Sequence, residues 1–436
     1  MSESDFVRVP RLGDPGYASP LRLSTTWGDD IVNFTPEHAL VRHRIELNTP
    51  DLGPDLRFEK AGPRQRLFFD PPRVRAAIVT CGGLCPGLNN VIRSAFLEMH
   101  FNYGVPEVLG LRYGYQGLNP TLAEAPLRLT PELVEHIHEH GGTILGTSRG
   151  EQDPRVMADF LQRERIDILL CIGGDGTQRG AVRIADEARR RGAPVAVVGI
   201  PKTIDNDIAF VSQTFGFATA VEKAREVLYG AHAEAKSAFN GIGLVKVMGR
   251  HAGFIACGAT VASQEVNFTL IPEAPLVLEG ERGFLPVLHR RLLARHHAVI
   301  VVAEGAGQEL FAGDDRGTDA SGNARFGDIG VRLKSEIERF FKANGTPVSV
   351  KYFDPSYYVR SVPANSVDSL LCDHLARHAV HAAMSGRTGI LVGHWNDVFI
   401  HVPIGMAVAQ PRRVSLEGDI WRQVLSATGQ PASWRS

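Results

Sequence analysis

The chain has 436 residues, 44% hydrophobic and 22% charged, and its 47 basic and 48 acidic side chains leave a formal charge of −1. At roughly 150 residues per domain this is two to three domains, long enough to bury a large core without disulfide or metal staples. The charge balance argues against a nucleic-acid-binding or membrane-surface protein, although a local basic pocket for a small anion stays open. Five cysteines, Cys81, Cys85, Cys171, Cys257 and Cys372, are too few and too scattered for a disulfide framework and read as reduced thiols of a cytoplasmic protein. The first residues carry no basic or apolar signal-peptide region, and no uncharged run of 18 apolar residues predicts a membrane span.

Residues 1–72 hold nine of the 26 prolines and only short apolar pieces between them. They predict an extended N-terminal strap, with Trp27, Phe34, Phe58, Phe68 and Phe69 as material to bury. From residue 73 the pattern changes. Residues 73–80 predict a buried strand, and the three-to-four spacing of Leu88, Val91, Ile92, Ala95, Phe96 and Met99 predicts a helix. Strands follow over 105–111, 166–172 and 194–200, with helices over 131–140 and 180–191. Later come strands over 242–247, 298–303 and 389–392 and helices over 285–294, 328–344 and 366–385. Residues 313–325 (GDDRGTDASGNAR) read as a polar surface loop. Apolar strands alternating with amphipathic helices mean parallel sheets covered on both faces. The expected fold is α/β: two doubly wound, Rossmann-like domains with a cleft between them, plus the extended N-terminal segment.

In such sheets ligands bind beyond the carboxyl ends of the strands, and three strand ends stand out. CGGLCPGLNN (81–90) runs a strand through Gly82 and Gly83 into a helix, where backbone N–H groups suit a phosphate. IGGDGT (172–177) adds Asp175, a candidate Mg²⁺ ligand beside a phosphate cradle or, equally, a helix cap. GIPKTIDND (199–207) places Lys202, Thr203, Asp205 and Asp207 together, as a general base and a metal-associated carboxylate require. Each turn alone is as well explained by a tight βα connection. Together in one doubly wound unit they favour a site. Arg250 in VMGRH, Tyr357 and Arg360 in YYVR, and Lys351 upstream supply groups for an anionic substrate. Glu304, at the end of AVIVVAEG, is a charge at a sheet end that a sugar hydroxyl would satisfy. His136, His138 and His140 lack further ligands and read as structural, and Cys81 with Cys85 lacks the second pair of a zinc site.

In order, GGLCPGLN, GTSRG (146–150), IGGDGT, PKTIDND, KVMGRHAGFIA, VVAEGAGQ and DPSYYVRS resemble the motifs of 6-phosphofructokinases over roughly residues 73–410. The resemblance implies a nucleotide-binding domain over 73–215 and 359–410, and a fructose-6-phosphate-binding domain over 216–358 and 411–436. Members use ATP or pyrophosphate. A second aspartate in the GGD motif goes with pyrophosphate, because it would repel the α-phosphate of ATP, and this chain has Gly176 there. Lys202 points the other way, since many pyrophosphate enzymes carry PKTIDND and the short bacterial ATP enzymes carry PGTIDND. The combination resembles the ATP-using subgroup within the pyrophosphate-like branch.

The resemblance then implies a role for each matching residue. Gly83 and Gly174, Asp175, Gly176 and Thr177 hold the ATP phosphates, with Asp175 on Mg²⁺. Arg149 and Gly150 line the donor side, and Arg149 steadies the moving phosphoryl group. Asp205 accepts the proton of the sugar 1-hydroxyl, Thr203 helps place that hydroxyl, and Asp207 supports the metal or the base. Thr203, Ile204, Asp205, Met248, Gly249, Arg250, Glu304, Tyr357, Tyr358, Val359 and Arg360 form the fructose 6-phosphate site, with Lys351 contributed from a neighbouring subunit. Partners are then fructose 6-phosphate, ATP and a second copy of the chain, as a homotetramer or homodimer, with no nucleic acid and no membrane. The chain departs from the short bacterial enzymes at Phe239-Asn240-Gly241 and at Tyr357, two places that bear on their allosteric behaviour. A pyrophosphate-dependent enzyme and a non-catalytic phosphosugar-binding regulator are the alternatives. Lipid and NAD kinases share only the GGDGT element.

Overall fold

The computed structural model describes residues 6–45, 55–122, 124–312, 317–318 and 325–435. Among them run the strands β1 (Tyr17–Ala18), β2 (Leu40–Arg42), β3 (Arg57–Lys60), β4 (Arg66–Leu67), β5 (Arg75–Thr80), β6 (Glu107–Leu111), β7 (Leu127–Arg128) and β8 (Ile168–Gly173). They continue as β9 (Ala196–Pro201), β10 (Gly241–Val247), β11 (Phe268–Leu270), β12 (His297–Ala303), β13 (Ser349–Phe353), β14 (Ile390–Trp395) and β15 (Val398–Pro403). Nine of them form a sheet in the order β2-β3-β15-β14-β9-β8-β5-β6-β7, and four form a second in the order β11-β12-β10-β13. The stretch β14-β9-β8-β5-β6 is parallel, as is the whole second sheet.

The chain divides into two compact α/β units, each with its own sheet. One runs up to Thr203 and adds Ile208–Gly216 and Val362–Gln410. The other takes Ile204–Asp207, Phe217–Ser361 and the stretch from Pro411. Ile204–Asp207 therefore leaves the unit of the preceding strand, because Asp205 and Asp207 bond to Arg250 and Arg412 of the second unit. Val359 and Arg360 also lie in the second unit, since the short helix Tyr358–Ser361 packs on the helix Phe217–Ser237.

In the first unit β5, β8 and β9 are buried almost throughout, which fits their unbroken apolar sequence. Caps start the helices: Asp153 accepts the N–H of Arg155 ahead of Pro154–Arg163, and Asn365 that of Asp368 ahead of Ser366–Met384. In the second unit, Phe217–Ser237 lays a stripe of Ala220, Ala224, Ala231 and Ala235 against β10. Glycines make this approach possible. A Cβ on Gly241 would lie 2.1 Å from the Ala235 carbonyl oxygen, and one on Gly243 2.6 Å from that of Ala231.

The structure corrects several sequence expectations. Phe217–Ser237 escapes prediction because an alanine stripe has little hydrophobic contrast. Phe254–Ser263 (FIACGATVAS) escapes because it is apolar on every side. The expected helix over 131–140 breaks into Pro131–Val134 and a 3-10 turn at Ile137–Glu139, as only Val134 and Ile137 are buried there. The helix expected from residue 180 begins five residues earlier, at Asp175. Most of the polar loop 313–325 lies outside the described residues. The strap is more than an extended segment, since β2 and β3 extend the large sheet through β15.

A buried charge cluster clamps that strap. Glu59, on β3, accepts from Arg64 (3.0 Å), Arg387 (2.7 Å) and Arg11 (3.1 Å), and His401 lies 3.1 Å away. Arg64, Arg387 and His401 are almost wholly buried. Burial pushes the Glu59 carboxyl up, but His401 and the two buried guanidiniums override it and hold it well below its usual range. Burial pushes His401 down to about 4 and His378 down to about 3, so both are neutral imidazoles at pH 7.

Removing Glu59 takes away the buried carboxylate and leaves Arg64 and Arg387 only the half-exposed Glu37 as a carboxylate partner, so Glu59→Ala is expected to cost about 3 kcal/mol in urea unfolding. A loss below about 1 kcal/mol would contradict the clamp. The pH dependence has a defined sign. His378 and His401 titrate lower folded than their ordinary 6.5, so the unfolded chain takes up protons first as pH falls. Stability should decline from about pH 6.5 towards 4, and further as Glu59 is forced to protonate. His378→Gln should flatten the upper part of that decline.

Candidate active site

The three motif turns follow β5, β8 and β9, which are neighbours in one parallel sheet, and the first two are rich in glycine. After β5 the chain turns through Gly82 (φ +83°) and Gly87 (φ +103°) into the helix Leu88–Leu97. No side chain could replace Gly87, because a Cβ there would lie 2.5 Å from Cys372 Sγ. GTSRG is pinned to this turn: the Gly82 N–H donates to the Ser148 carbonyl (3.1 Å), and the Thr147 hydroxyl donates to the Gly82 carbonyl (2.6 Å). Arg149 and Gly150 follow, both exposed, with Gly150 at φ +104°.

The turn after β8 is the first turn of a helix. Gly174 is the extended N-cap of Asp175–Arg190, so Asp175, Gly176 and Thr177 present amide N–H groups at a helix N-terminus, where anions are favoured. The Thr177 carbonyl accepts from the buried Tyr115 hydroxyl (2.6 Å). Gln178, unnoticed in the sequence, is fully buried and donates to the Gly173 and Ile200 carbonyls, tying β8 to β9. Its signal is faint, since one glutamine in a charged helix looks like surface. Asp175 is exposed and paired with Arg179 (2.6 Å). A Cβ on Gly176 would meet nothing within 4 Å.

An exposed carboxylate at a helix N-terminus, beside phosphate-suited amides, fits Mg²⁺, which takes one or two carboxylates and completes its shell with phosphate oxygens and water. No group of three or more acidic, His or Cys side chains among the described residues could hold a metal by itself.

After β9, Lys202 is buried and its ammonium donates to the Gly83 carbonyl at 2.7 Å. Its backbone N–H donates to the Gly173 carbonyl at 3.0 Å. Thr203 follows, its carbonyl accepting from the Thr214 hydroxyl (2.7 Å). Burial pushes the neighbouring Cys81 thiol up to about 12 against the opposing pull of Lys202, so it is no nucleophile.

In the second unit, Asn206 adopts a left-handed turn (φ +56°) between the two aspartates. The Asp205 carboxylate accepts the Arg250 N–H (3.4 Å), and the Asp207 carbonyl accepts the Arg412 N–H (2.7 Å). Met248-Gly249-Arg250 leaves β10 beside Glu304, which leaves β12. Val247 accepts the Glu304 N–H (2.9 Å), and Gly249 accepts that of Gly305 (3.1 Å). Gly249 is at φ +127°, and a Cβ there would lie 2.7 Å from the Ala252 carbonyl oxygen. The Arg250 guanidinium lies 4.4 Å over the Phe326 ring. Burial raises the Glu304 carboxyl, while Arg250, Lys246 and Arg360 pull it down.

Tyr357 is 77% exposed, with the Arg360 guanidinium 4.7 Å over its ring. Tyr358 is also exposed, whereas the Ile204 and Val359 side chains are buried in the core and present only backbone. Lys351 stays apart from this group. It is exposed on the edge strand β13 opposite Gly243, five residues before Met248, roughly 16 Å along a strand. Lys246 is another residue the sequence reading passed over. It pairs with Asp328 (3.0 Å) and Asp354 (2.8 Å).

These environments predict opposite outcomes for two glycines. Gly249→Ala should lower the melting temperature, because of its backbone conformation and the Ala252 carbonyl. Gly176→Ala should leave it unchanged or higher. Equal tolerance at both positions would contradict the geometry.

A family model described as phosphofructokinase matches residues 75–383. Among curated proteins, the ATP-dependent 6-phosphofructokinase of Borreliella burgdorferi is 50% identical over 99% of this chain and 98% of its own. That of Amycolatopsis methanolica is 44% identical over 99% and 96%. Among solved structures, a pyrophosphate-dependent phosphofructokinase from Marinobacter aquaeolei aligns with a TM-score of 0.67 over 83% of this chain and 93% of its own. Its 18% identity speaks for the fold alone. With its motifs in place on two α/β units and full-length relatives at this identity, the chain belongs to the phosphofructokinase family.

Proposed function

We propose that the chain is an ATP-dependent kinase of glycolysis that transfers the γ-phosphoryl group of ATP to the 1-hydroxyl of D-fructose 6-phosphate, yielding fructose 1,6-bisphosphate and ADP. The observation that carries the donor assignment is Gly176: it sits in the first turn of a helix and faces open space where a second carboxylate would crowd the α-phosphate. The relatives matched over nearly the whole chain are named for ATP. Lys202, the residue that leaned towards pyrophosphate, has a structural use in holding the Gly83 turn.

On this reading the amides of Gly83, Gly174, Gly176 and Thr177 cradle the donor phosphates, and Arg149 and Gly150 line the same side. Mg²⁺, held by Asp175, supplies charge neutralisation when bound. Arg250, Arg360 and Tyr357 take the sugar phosphate, Met248 and Gly249 shape the turn beneath it, and Glu304 accepts from a sugar hydroxyl. Thr203 orients the 1-hydroxyl and Asp205 takes its proton as the oxygen bonds to the γ-phosphorus and the bridging oxygen leaves with ADP, with Asp207 in support. Positioning and charge neutralisation do most of the work. Lys351, exposed and distant from its own Arg250, suits a second copy of the chain in a homo-oligomer. No described helix is long and apolar enough to cross a membrane.

A coupled assay for fructose 1,6-bisphosphate, run with ATP and with pyrophosphate in parallel, tests the reading. Turnover with ATP is expected. Turnover with pyrophosphate alone would overturn the donor, and silence with both would favour a binding regulator. Asp205→Asn should lower kcat by ~10²–10⁴-fold with little change in the KM for fructose 6-phosphate. Gly176→Asp should raise the KM for ATP without lowering the melting temperature. An unchanged KM would reject the steric and electrostatic account of donor choice.

A further inference from the structure

Lys246 lies two residues before Met248, on the strand that delivers Arg250. Its side chain is only 12% exposed, yet its ammonium meets two carboxylates from two other elements. Asp328 caps the helix Ile329–Ala343, accepting the N–H groups of Gly330 (3.0 Å) and Val331 (3.1 Å) and the Tyr352 hydroxyl (3.2 Å). Asp354 opens the segment that carries Tyr357 and Arg360. Glu304 feels the same charges, drawn down by Arg250, Lys246 and Arg360 and pushed up by Asp354. Three cations and three carboxylates therefore gather at this end of the second sheet, and Lys246 binds two of the carboxylates directly.

We propose that Lys246 is the positioning residue of the sugar-phosphate half of the site. Its ammonium fastens the segment bearing Tyr357 and Arg360 to the strand bearing Arg250, and neutralises Asp328 and Asp354 so that they do not compete with the substrate phosphate for the arginines. The inference rests on the fructose 6-phosphate reading and assigns it a residue outside the motif positions that bind substrate. An apolar side chain at 246 would leave two half-buried aspartates beside a phosphate-binding cluster, repelling a dianionic ligand.

The test uses the full chain. Lys246→Met should raise the KM for fructose 6-phosphate roughly tenfold or more, with the KM for ATP within about twofold of the wild type. Lys246→Arg should recover most of the loss, because it restores the charge. Adding Asp354→Asn to Lys246→Met should also recover part of it, since the uncompensated carboxylate is then gone. A KM for fructose 6-phosphate that stays within twofold, a parallel rise in the KM for ATP, or no recovery in the double variant would overturn the proposal. The fructose 6-phosphate-induced rise in melting temperature gives the same comparison without turnover. If the wild type shows that rise and Lys246→Met loses it while neither turns over with ATP, the kinase reading fails and the Lys246 inference stands. If the wild type turns over and Lys246→Met keeps its KM, the reverse holds. If the wild type is neither shifted by fructose 6-phosphate nor turns it over, both fall.

Discussion

The buried ammonium of Lys202 is the contact on which the motif turns of the first unit depend. It leaves the end of β9, its backbone joins the Gly173 carbonyl at the end of β8, and its side chain reaches the Gly83 carbonyl in the turn after β5. One residue thus fixes three neighbouring turns. Glycine-rich turns are conformationally permissive and lose much entropy on ordering, so a phosphate cradle built from them needs such a tether to be pre-formed. Gln178 does the same work between β8 and β9 from beneath. Backbone amides fixed in this way can meet phosphate charge with little reorganisation on binding.

The second unit reaches a similar end by packing. Gly249 brings the turn after β10 against the Ala252 carbonyl, and Gly305 brings the turn after β12 against Arg250. Charged groups converge there because parallel strands all end on the same side. The convergence is stable only because its signs alternate: Lys246 between two aspartates, Glu304 among three cations. A cluster of arginines alone would repel itself, and a lone buried carboxylate would protonate.

Much of this was legible in the sequence, and the gaps have physical reasons. Unbroken apolar runs predicted β5, β8 and β9, the first two ending at glycines, and the motif order predicted the family. Hydrophobic contrast failed where the structure uses alanine stripes against glycine strands, as in Phe217–Ser237, or buries a helix on all sides, as in Phe254–Ser263. The helical start at Asp175 was obscured because glycine in GDGT reads as a turn. Gln178, Lys246 and the Glu59 clamp are polar residues whose burial is decided by distant segments. Glu59 meets Arg387 across 328 positions of chain, and no local pattern reports that.

Under the proposed function labour is divided: donor phosphates would bind the turns of the first unit and the sugar phosphate those of the second. Amide hydrogen exchange with each ligand added singly tests it most directly. Mg·ATP should slow exchange in 82–87, 146–150 and 173–178, and fructose 6-phosphate should slow it in 247–251, 304–306 and 354–361. Protection of the second set by Mg·ATP alone, or of neither set by either ligand, would contradict the account.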